Sequence, residues 1–176
     1  FEVEAMTSVV AVDERVSSTA IRARLEQGDL AGAQQLLGRP YSIAGRVVGG
    51  DKLGAKIGYP TANVQLQRSK APLSGIFVVA VDGLGPAPLP GVASLGVRPT
   101  VKERGRPTLE VHLFDFDERI YGQRIGVRFL KKLRDEQKFA GIDALVAQMD
   151  LDAAAARDYF LTAKAQRRKG NAKEGN

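Results

Sequence analysis

Between Tyr41 and about Phe129, apolar and polar residues alternate in short runs, each closed by Gly, Pro or Asp, as in half-buried β-strands. The runs are Tyr41 to Val48, Ala62 to Leu66, Gly75 to Val81, Gly91 to Leu95, Thr108 to Phe114 and Arg124 to Phe129. Strands this short, with turns at this spacing, predict a mainly β fold: a small six-stranded antiparallel, Greek-key-like β-barrel, closed or nearly so. Asp115 to Gly122, with Asp117, Glu118 and Gly122, reads as a hairpin between the last two strands.

On both sides of this region the period turns helical. Ser17, Ser18 and Thr19 offer N-cap oxygens before Ile21 and Leu25, and Gly28 follows where a left-handed stop is wanted. Asp29 can cap a second short helix with Ala33, Leu36 and Leu37 on its apolar side, ended by Gly38 and Pro40. After the strands, Ile142, Leu145, Val146, Met149, Leu151, Ala155 and Tyr159 form an amphipathic stretch, a C-terminal α-helix that covers one side or end of the barrel.

A chain of 176 residues, 44% of them hydrophobic, suffices for one domain with a core and a modest appendage. Its net charge of +6 suits a polyanionic ligand: a nucleotide, a nucleic acid or an acidic membrane surface. Part of that charge is Lys164, Arg167, Arg168, Lys169 and Lys173, so residues 165–176 read as a disordered basic tail in solvent. With no cysteine, and His112 as the one histidine, disulfides, thiolate metal sites and His-based triads are excluded. No apolar run approaches the ~20 residues of a membrane span, and the start lacks a signal-peptide layout, so a cytoplasmic protein is expected. The opening run from Phe1 to Val12 alternates loosely, like a strand already inside a sheet, and gives the expectation of a fragment of a longer protein.

The densest candidate chemistry lies between Gly49 and Asn63. Glycines at 49, 50, 54 and 58 let backbone N–H groups approach a ligand, and Lys52 and Lys56 add positive charge. Such a loop either cradles phosphates or simply connects strands. It matches neither the Gly-Lys-Ser/Thr phosphate loop nor the dinucleotide fingerprint, because a strand follows it. Pro60-Thr61-Ala62-Asn63 then sets two neutral oxygen-bearing side chains on one side of an extended chain. Such a pair can ligate Mg²⁺ already carrying nucleotide phosphates, or can serve local turn hydrogen bonds.

In Thr108 to Leu113, strand alternation puts Thr108, Glu110 and His112 on one face. A carboxylate on a rigid strand can orient an alcohol and accept its proton in phosphoryl transfer; most such carboxylates are simply solvated. His112 reads as a hydrogen-bonded structural residue. In Leu133 to Phe139, Arg134 could hydrogen-bond the carbonyls of a planar heterocycle and Phe139 could stack on it, and the plain alternative is a helical turn with salt bridges.

Taken together, Gly58-Tyr59-Pro60-Thr61-Ala62-Asn63, Gly96-Val97-Arg98-Pro99-Thr100, Leu109-Glu110-Val111-His112-Leu113, Asp117 through Tyr121-Gly122 and Arg134-Asp135-Glu136-Gln137-Lys138-Phe139 closely resemble the riboflavin kinase domain. The layout is similar to the C-terminal half of the bacterial bifunctional riboflavin kinase and FMN adenylyltransferase, and Val16 to Arg22 resembles the motif that ends the adenylyltransferase half. The resemblance implies residues 1–40 as a remnant of that α/β nucleotidyltransferase half and 41–164 as the kinase domain. It implies ATP and riboflavin as substrates and Mg²⁺ as metal. By the same resemblance, Thr61 and Asn63 lie at Mg²⁺ and the ATP phosphates, Glu110 is the base, Tyr121 lies beside the nucleotide, and Arg134 lies near the flavin. The loop before Pro60, with Gly49, Lys52, Gly54 and Lys56, corresponds to a flap over the nucleotide; the family often has a basic residue where this chain has Ala55, which leaves open whether Lys52 or Lys56 supplies the cation. The His-x-Gly-His motif of nucleotidyl transfer is absent, so FMN adenylylation is not expected of this chain, and Ser17, Ser18 and Arg22 are relics. The rivals are a non-catalytic flavin-binding module and a basic barrel that binds single-stranded nucleic acid; against the latter, aromatic residues are only 6% and Trp is absent. All of these roles converge if Thr61, Asn63 and Glu110 meet across the mouth of the barrel.

Overall fold

A computed structural model describes residues 10–11, 14–50, 53–67, 70–97 and 107–174. Lys52, Arg98, Pro99, Thr100 and most of the opening run lie outside the described residues, as do the side chains of Arg167, Arg168, Lys169 and Lys173.

In chain order the elements are β1 (Val10–Ala11), β2 (Glu14–Arg15), α1 (Ser18–Glu26), α2 (Leu30–Leu37), β3 (Ser42–Val48), α3 (Leu53–Lys56), β4 (Ala62–Gln65), β5 (Gly75–Asp82), β6 (Leu89–Val97), β7 (Pro107–Leu113), β8 (Arg124–Arg134) and α4 (Ile142–Glu174). The barrel is closed, with neighbours in the order β3-β4-β7-β6-β5-β8, and every pair is antiparallel. β5, β6 and β7 form a meander, and β4, which precedes them in the chain, lies beside the last; this is the expected Greek key.

Alternation fills the interior. Val64, Phe77, Val79, Leu95, Leu109, Val111, Ile125, Val127 and Phe129 all point inward into one core. Phe129 packs edge-on to Phe77, ring centroids 5.2 Å apart, and tilts against Tyr41. The α1–α2 hairpin shares that core through Leu25, Leu30 and Ala33. Ser17 caps α1 by accepting from the Ala20 N–H at 3.1 Å, and Asp29 caps α2 by accepting from the Gly32 N–H at 2.8 Å. That bond and the Arg24 guanidinium hold the Asp29 carboxyl below the usual carboxylate range.

β5 is buried on both faces because α4 lies on its outer side. Val78, Val92, Leu130 and Leu133 of the wall meet Ala153, Ala156, Tyr159 and Phe160 of the helix in a second, smaller cluster.

Three expectations need correction. The segment after β7 is not a hairpin, because β7 and β8 are not neighbours; it crosses the ends of β4 and β3. It is pinned to β3 where the Gly122 N–H donates to Val47 O at 2.8 Å and the Val47 N–H to Gln123 O at 2.9 Å. Arg134 does not sit on a helical turn: β8 runs past Phe129 to Arg134, with register irregularities against β5 at Ile76/Phe77 and Val78/Val79. Finally, residues 165–174, expected as a tail, continue the backbone helix of α4.

Phe129→Ala removes a ring that is 1% exposed and should lower stability by about 3–5 kcal/mol. The expected readout is a lower urea midpoint with an unchanged slope.

Candidate functional site: two clefts meeting at Thr61

The strand registers set one row of residues across the barrel wall: Asn63 opposite Glu110, Glu110 opposite Ser94, Ser94 opposite Ile76, and Ile76 opposite Arg134. Since Leu109 and Val111 point inward, Glu110 between them points outward, and its partners in the row share that face. Thr61, Asn63 and Glu110 therefore do converge, but on the outer surface of the wall and not across the mouth. The Thr61 hydroxyl lies 3.4 Å from Glu110 Oε2, at the limit of a weak hydrogen bond.

Leu145, Met149 and Ala153, spaced four apart along α4, lie over this row. Roof and wall enclose a cavity of about 250 Å³ that Tyr59, Thr61, Glu110, Arg134, Phe139 and Met149 help line. On the other side of Thr61 a second cleft of about 440 Å³ is bounded by Ala55, Pro60 and the crossing segment from Phe116 to Tyr121. Thr61 lines both.

The glycine loop lies directly on this junction. A Cβ on Gly54 would come within 2.2 Å of the Tyr59 carbonyl oxygen, which leaves no room for a side chain, and one on Gly50 would have to displace the Asn63 amide, whose Nδ2 would be 2.3 Å away. The loop is partly ordered by α3, a single helical turn closed by the Tyr59 N–H on Gly54 O at 2.8 Å. Gly49, by contrast, faces open space. Lys56 is exposed at the end of α3 and lines neither cleft, and Tyr121, 56% exposed, edges the second.

Arg134 and Phe139 line the first cavity, with the guanidinium carbon 5.6 Å from the Phe139 ring centre. The guanidinium is committed elsewhere: Nε donates to both carboxylate oxygens of Asp152 at 3.0 and 3.1 Å, Nη2 to Oδ2 at 2.7 Å, and Nη1 to the Asp135 carbonyl at 3.0 Å. Arg134 thus fastens the roof helix to β8. His112 fulfils its structural reading: Nδ1 lies 2.9 Å from the Pro60 carbonyl oxygen, and the ring meets Tyr59 and Phe114 edge-on.

Tyr59, Asp150 and Asp152 were missed by sequence reasoning. The Tyr59 phenol donates to Asp150 of α4, and burial together with that carboxylate pushes its pKa up to about 12. The available signal was angular. At 100° per residue Asp150 and Asp152 flank the Leu145, Met149 and Ala153 stripe on opposite sides, where each acid can reach a different wall. About two turns further along α4, Arg157 forks onto Asp115 at 3.0 and 3.1 Å and lies over Phe114, 4.4 Å from its ring centre. That contact lowers the Asp115 carboxyl and raises the Arg157 guanidinium.

The closed Greek-key barrel thus carries a roofed cavity on its outer wall and, beside it, a second cleft that reaches the inward-facing Val47, Val111 and Leu113, with the Thr61 hydroxyl where the two meet and the Glu110 carboxylate next to it. The chain matches the Flavokinase model, riboflavin kinase, over residues 37–160, and it belongs to the riboflavin kinase family. It is 52% identical over 146 residues to the bifunctional riboflavin kinase/FMN adenylyltransferase of Escherichia coli (strain K12), covering 83% of this chain and 46% of that protein. The chain thus spans about half the length of the curated relatives it matches. Among solved structures, riboflavin kinase from Trypanosoma brucei superposes with a TM-score of 0.52 at 25% identity, covering 72% of this chain and 83% of that one. A Streptococcus pneumoniae chain described as a macrolide-efflux protein gives 0.75 at 36% identity, covering 85% and 49%. Among the described residues, no helix is long and apolar enough to cross a membrane.

Asp152→Ala leaves the largely buried Arg134 cation without its partner and should cost about 3 kcal/mol, measured by chemical denaturation. It should also weaken whatever ligand the roofed cavity holds.

Proposed function

We propose that this chain transfers the γ-phosphoryl group of ATP to the 5′-hydroxyl of riboflavin, giving FMN and ADP. The observation that carries this reading is the placement of Thr61 and Glu110 where a roofed, largely apolar cavity meets an open cleft. A planar isoalloxazine suits the space between Met149 and Phe139, with its ribityl chain directed to Glu110. The nucleotide suits the cleft edged by Tyr121, with its phosphates toward the glycine loop. There Gly54, packed on Tyr59, brings backbone close; Gly49 and Lys56 form the looser outer part of the flap.

Among the described residues there is no cluster of three or more His, Asp or Glu side chains that could hold a metal by themselves. The donor set fits a hard cation that arrives with its nucleotide: the Thr61 hydroxyl and the Asn63 amide are neutral oxygen donors beside one carboxylate, and we assign the cation as Mg²⁺. Bound there, it would neutralise phosphate charge. In the transfer, Glu110 orients the 5′-hydroxyl and accepts its proton as that oxygen bonds to the γ-phosphorus; the bond to the bridging oxygen breaks and ADP leaves. No covalent enzyme intermediate is needed. Arg134 acts on the flavin chiefly through the shape of its cavity, since Asp152 and Asp135 hold the guanidinium in place through a donor on each of its three nitrogens.

We further place the chain as the kinase half of a cytoplasmic bifunctional protein whose other module converts FMN to FAD, as the names of the relatives suggest. Against the nucleic-acid reading, the strand aromatics Phe77 and Phe129 are 0% and 1% exposed inside the barrel and so cannot stack on bases.

Mixing the protein with riboflavin, Mg²⁺ and ATP should yield FMN and ADP in equal amounts; flavin binding without turnover would point to the carrier module instead. Glu110→Gln should bind both ligands and lose about 10²–10⁴-fold in kcat, and unchanged turnover would remove Glu110 from the mechanism. Thr61→Ala should weaken nucleotide binding with Mg²⁺ present but leave metal-free binding nearly as it was, a comparison made by calorimetric titration.

A further inference from the structure

Three consecutive residues at the head of β4 are each fastened to a different support. The Tyr59 phenol donates to Asp150 on the roof helix, the Pro60 carbonyl meets His112 Nδ1 at 2.9 Å, and the Thr61 hydroxyl meets Glu110 at 3.4 Å. His112 and Glu110 share the outward face of β7, so two of the supports belong to one rigid strand. The third belongs to α4. Proline restricts the backbone between Tyr59 and Thr61, so a shift at Tyr59 is passed on to Thr61 with little slack.

We propose that the Tyr59–Asp150 hydrogen bond is a latch that registers the roof helix against the Pro60–Thr61 segment and so sets the Thr61 hydroxyl beside Glu110 for phosphoryl transfer. This rests on the kinase reading given above and assigns Tyr59 and Asp150 as positioning residues within it.

The geometry of α4 explains why the latch matters. Asp152 ties one flank of the roof stripe to β8 through Arg134, and Asp150 ties the other flank to the head of β4. With only the first tie, the helix could pivot on Arg134 and change the width of the cavity on the Thr61 side. On the Tyr59 side the tie to Asp150 is made by the phenol hydroxyl alone. The segment's other contacts do not use that hydroxyl. The Tyr59 N–H is held by Gly54 O at 2.8 Å, and the ring rests edge-on against His112 with centroids 5.1 Å apart. Tyr59→Phe therefore removes the latch and leaves the fold's remaining anchors in place.

The test compares Tyr59→Phe, Asp150→Ala and the double variant. Folding is verified by far-UV circular dichroism and an unchanged urea slope, and riboflavin affinity, read by quenching of flavin fluorescence, should fall by less than kcat does. kcat should fall about tenfold, the scale expected when reacting groups are displaced by a fraction of an ångström. The Mg²⁺ concentration for half-maximal rate should rise, a change that a merely structural role would not produce. The double variant should be no worse than either single one, because both remove the same bond. Unaltered kcat and Mg²⁺ dependence in Tyr59→Phe, or losses that multiply in the double variant, would overturn the latch while leaving the kinase reading intact. Absence of FMN formation by the unaltered protein would instead overturn the kinase reading and the latch with it.

Discussion

Everything at the site descends from the pairing of β4 with β7. Antiparallel register sets Asn63 directly opposite Glu110, and strand alternation sends both outward while Val64, Leu109 and Val111 fill the barrel. Because the side-chain period along a strand is two residues, a slip of one place would bury the carboxylate and expose the core, an outcome with a large penalty. The packing of the interior therefore also specifies where the polar side chains of the candidate site lie. β6 and β5 extend the same row, so that Glu110, Ser94, Ile76 and Arg134, distant in sequence, become the floor of one cavity, with Asn63 just outside it.

A floor on the outside of a barrel needs a roof, and α4 supplies it. The helix is held by an apolar cluster around Val78 and Ala156 and by polar ties on both flanks. Of these, Arg134 with Asp152 is the most enclosed, the two side chains being 19% and 8% exposed. Such a pair adds little net stability compared with an apolar replacement, but it fixes geometry, since losing either partner strands a charge. The crossing segment does the corresponding work on the other side of Thr61. Held to β3 through Gly122 and Val47, it builds a wall for the second cleft from residues that a hairpin would have carried away from the site.

Much of this was legible beforehand. The two-residue period placed each barrel strand, and alternation alone put Glu110 and His112 on one face of their strand and Thr61 and Asn63 on one face of theirs, so the polar cluster could be named from its residues. What could not be read was which strand lies next to which. The mistaken hairpin after β7 followed from counting turn residues such as Asp117 and Gly122, whose local preferences are satisfied equally by a crossover. The extension of β8 to Arg134 was hidden because its last turns carry charges that suit a helix as well as an edge facing α4. Asp150, Asp152 and Tyr59 escaped notice for the same reason: acids on an amphipathic helix and a tyrosine before proline have ordinary local roles, and only the packing of α4 on the wall gives them partners.

The central claim is a division of labour across Thr61, with the flavin beneath α4 and the nucleotide against the crossing segment. A crystal structure with Mg²⁺, ADP and riboflavin tests it most directly. The account predicts the isoalloxazine between Met149 and Phe139, the adenine near Tyr121, and the cation within coordination distance of Thr61 and Asn63. A nucleotide seated under α4, or a flavin bound away from Glu110, would contradict it.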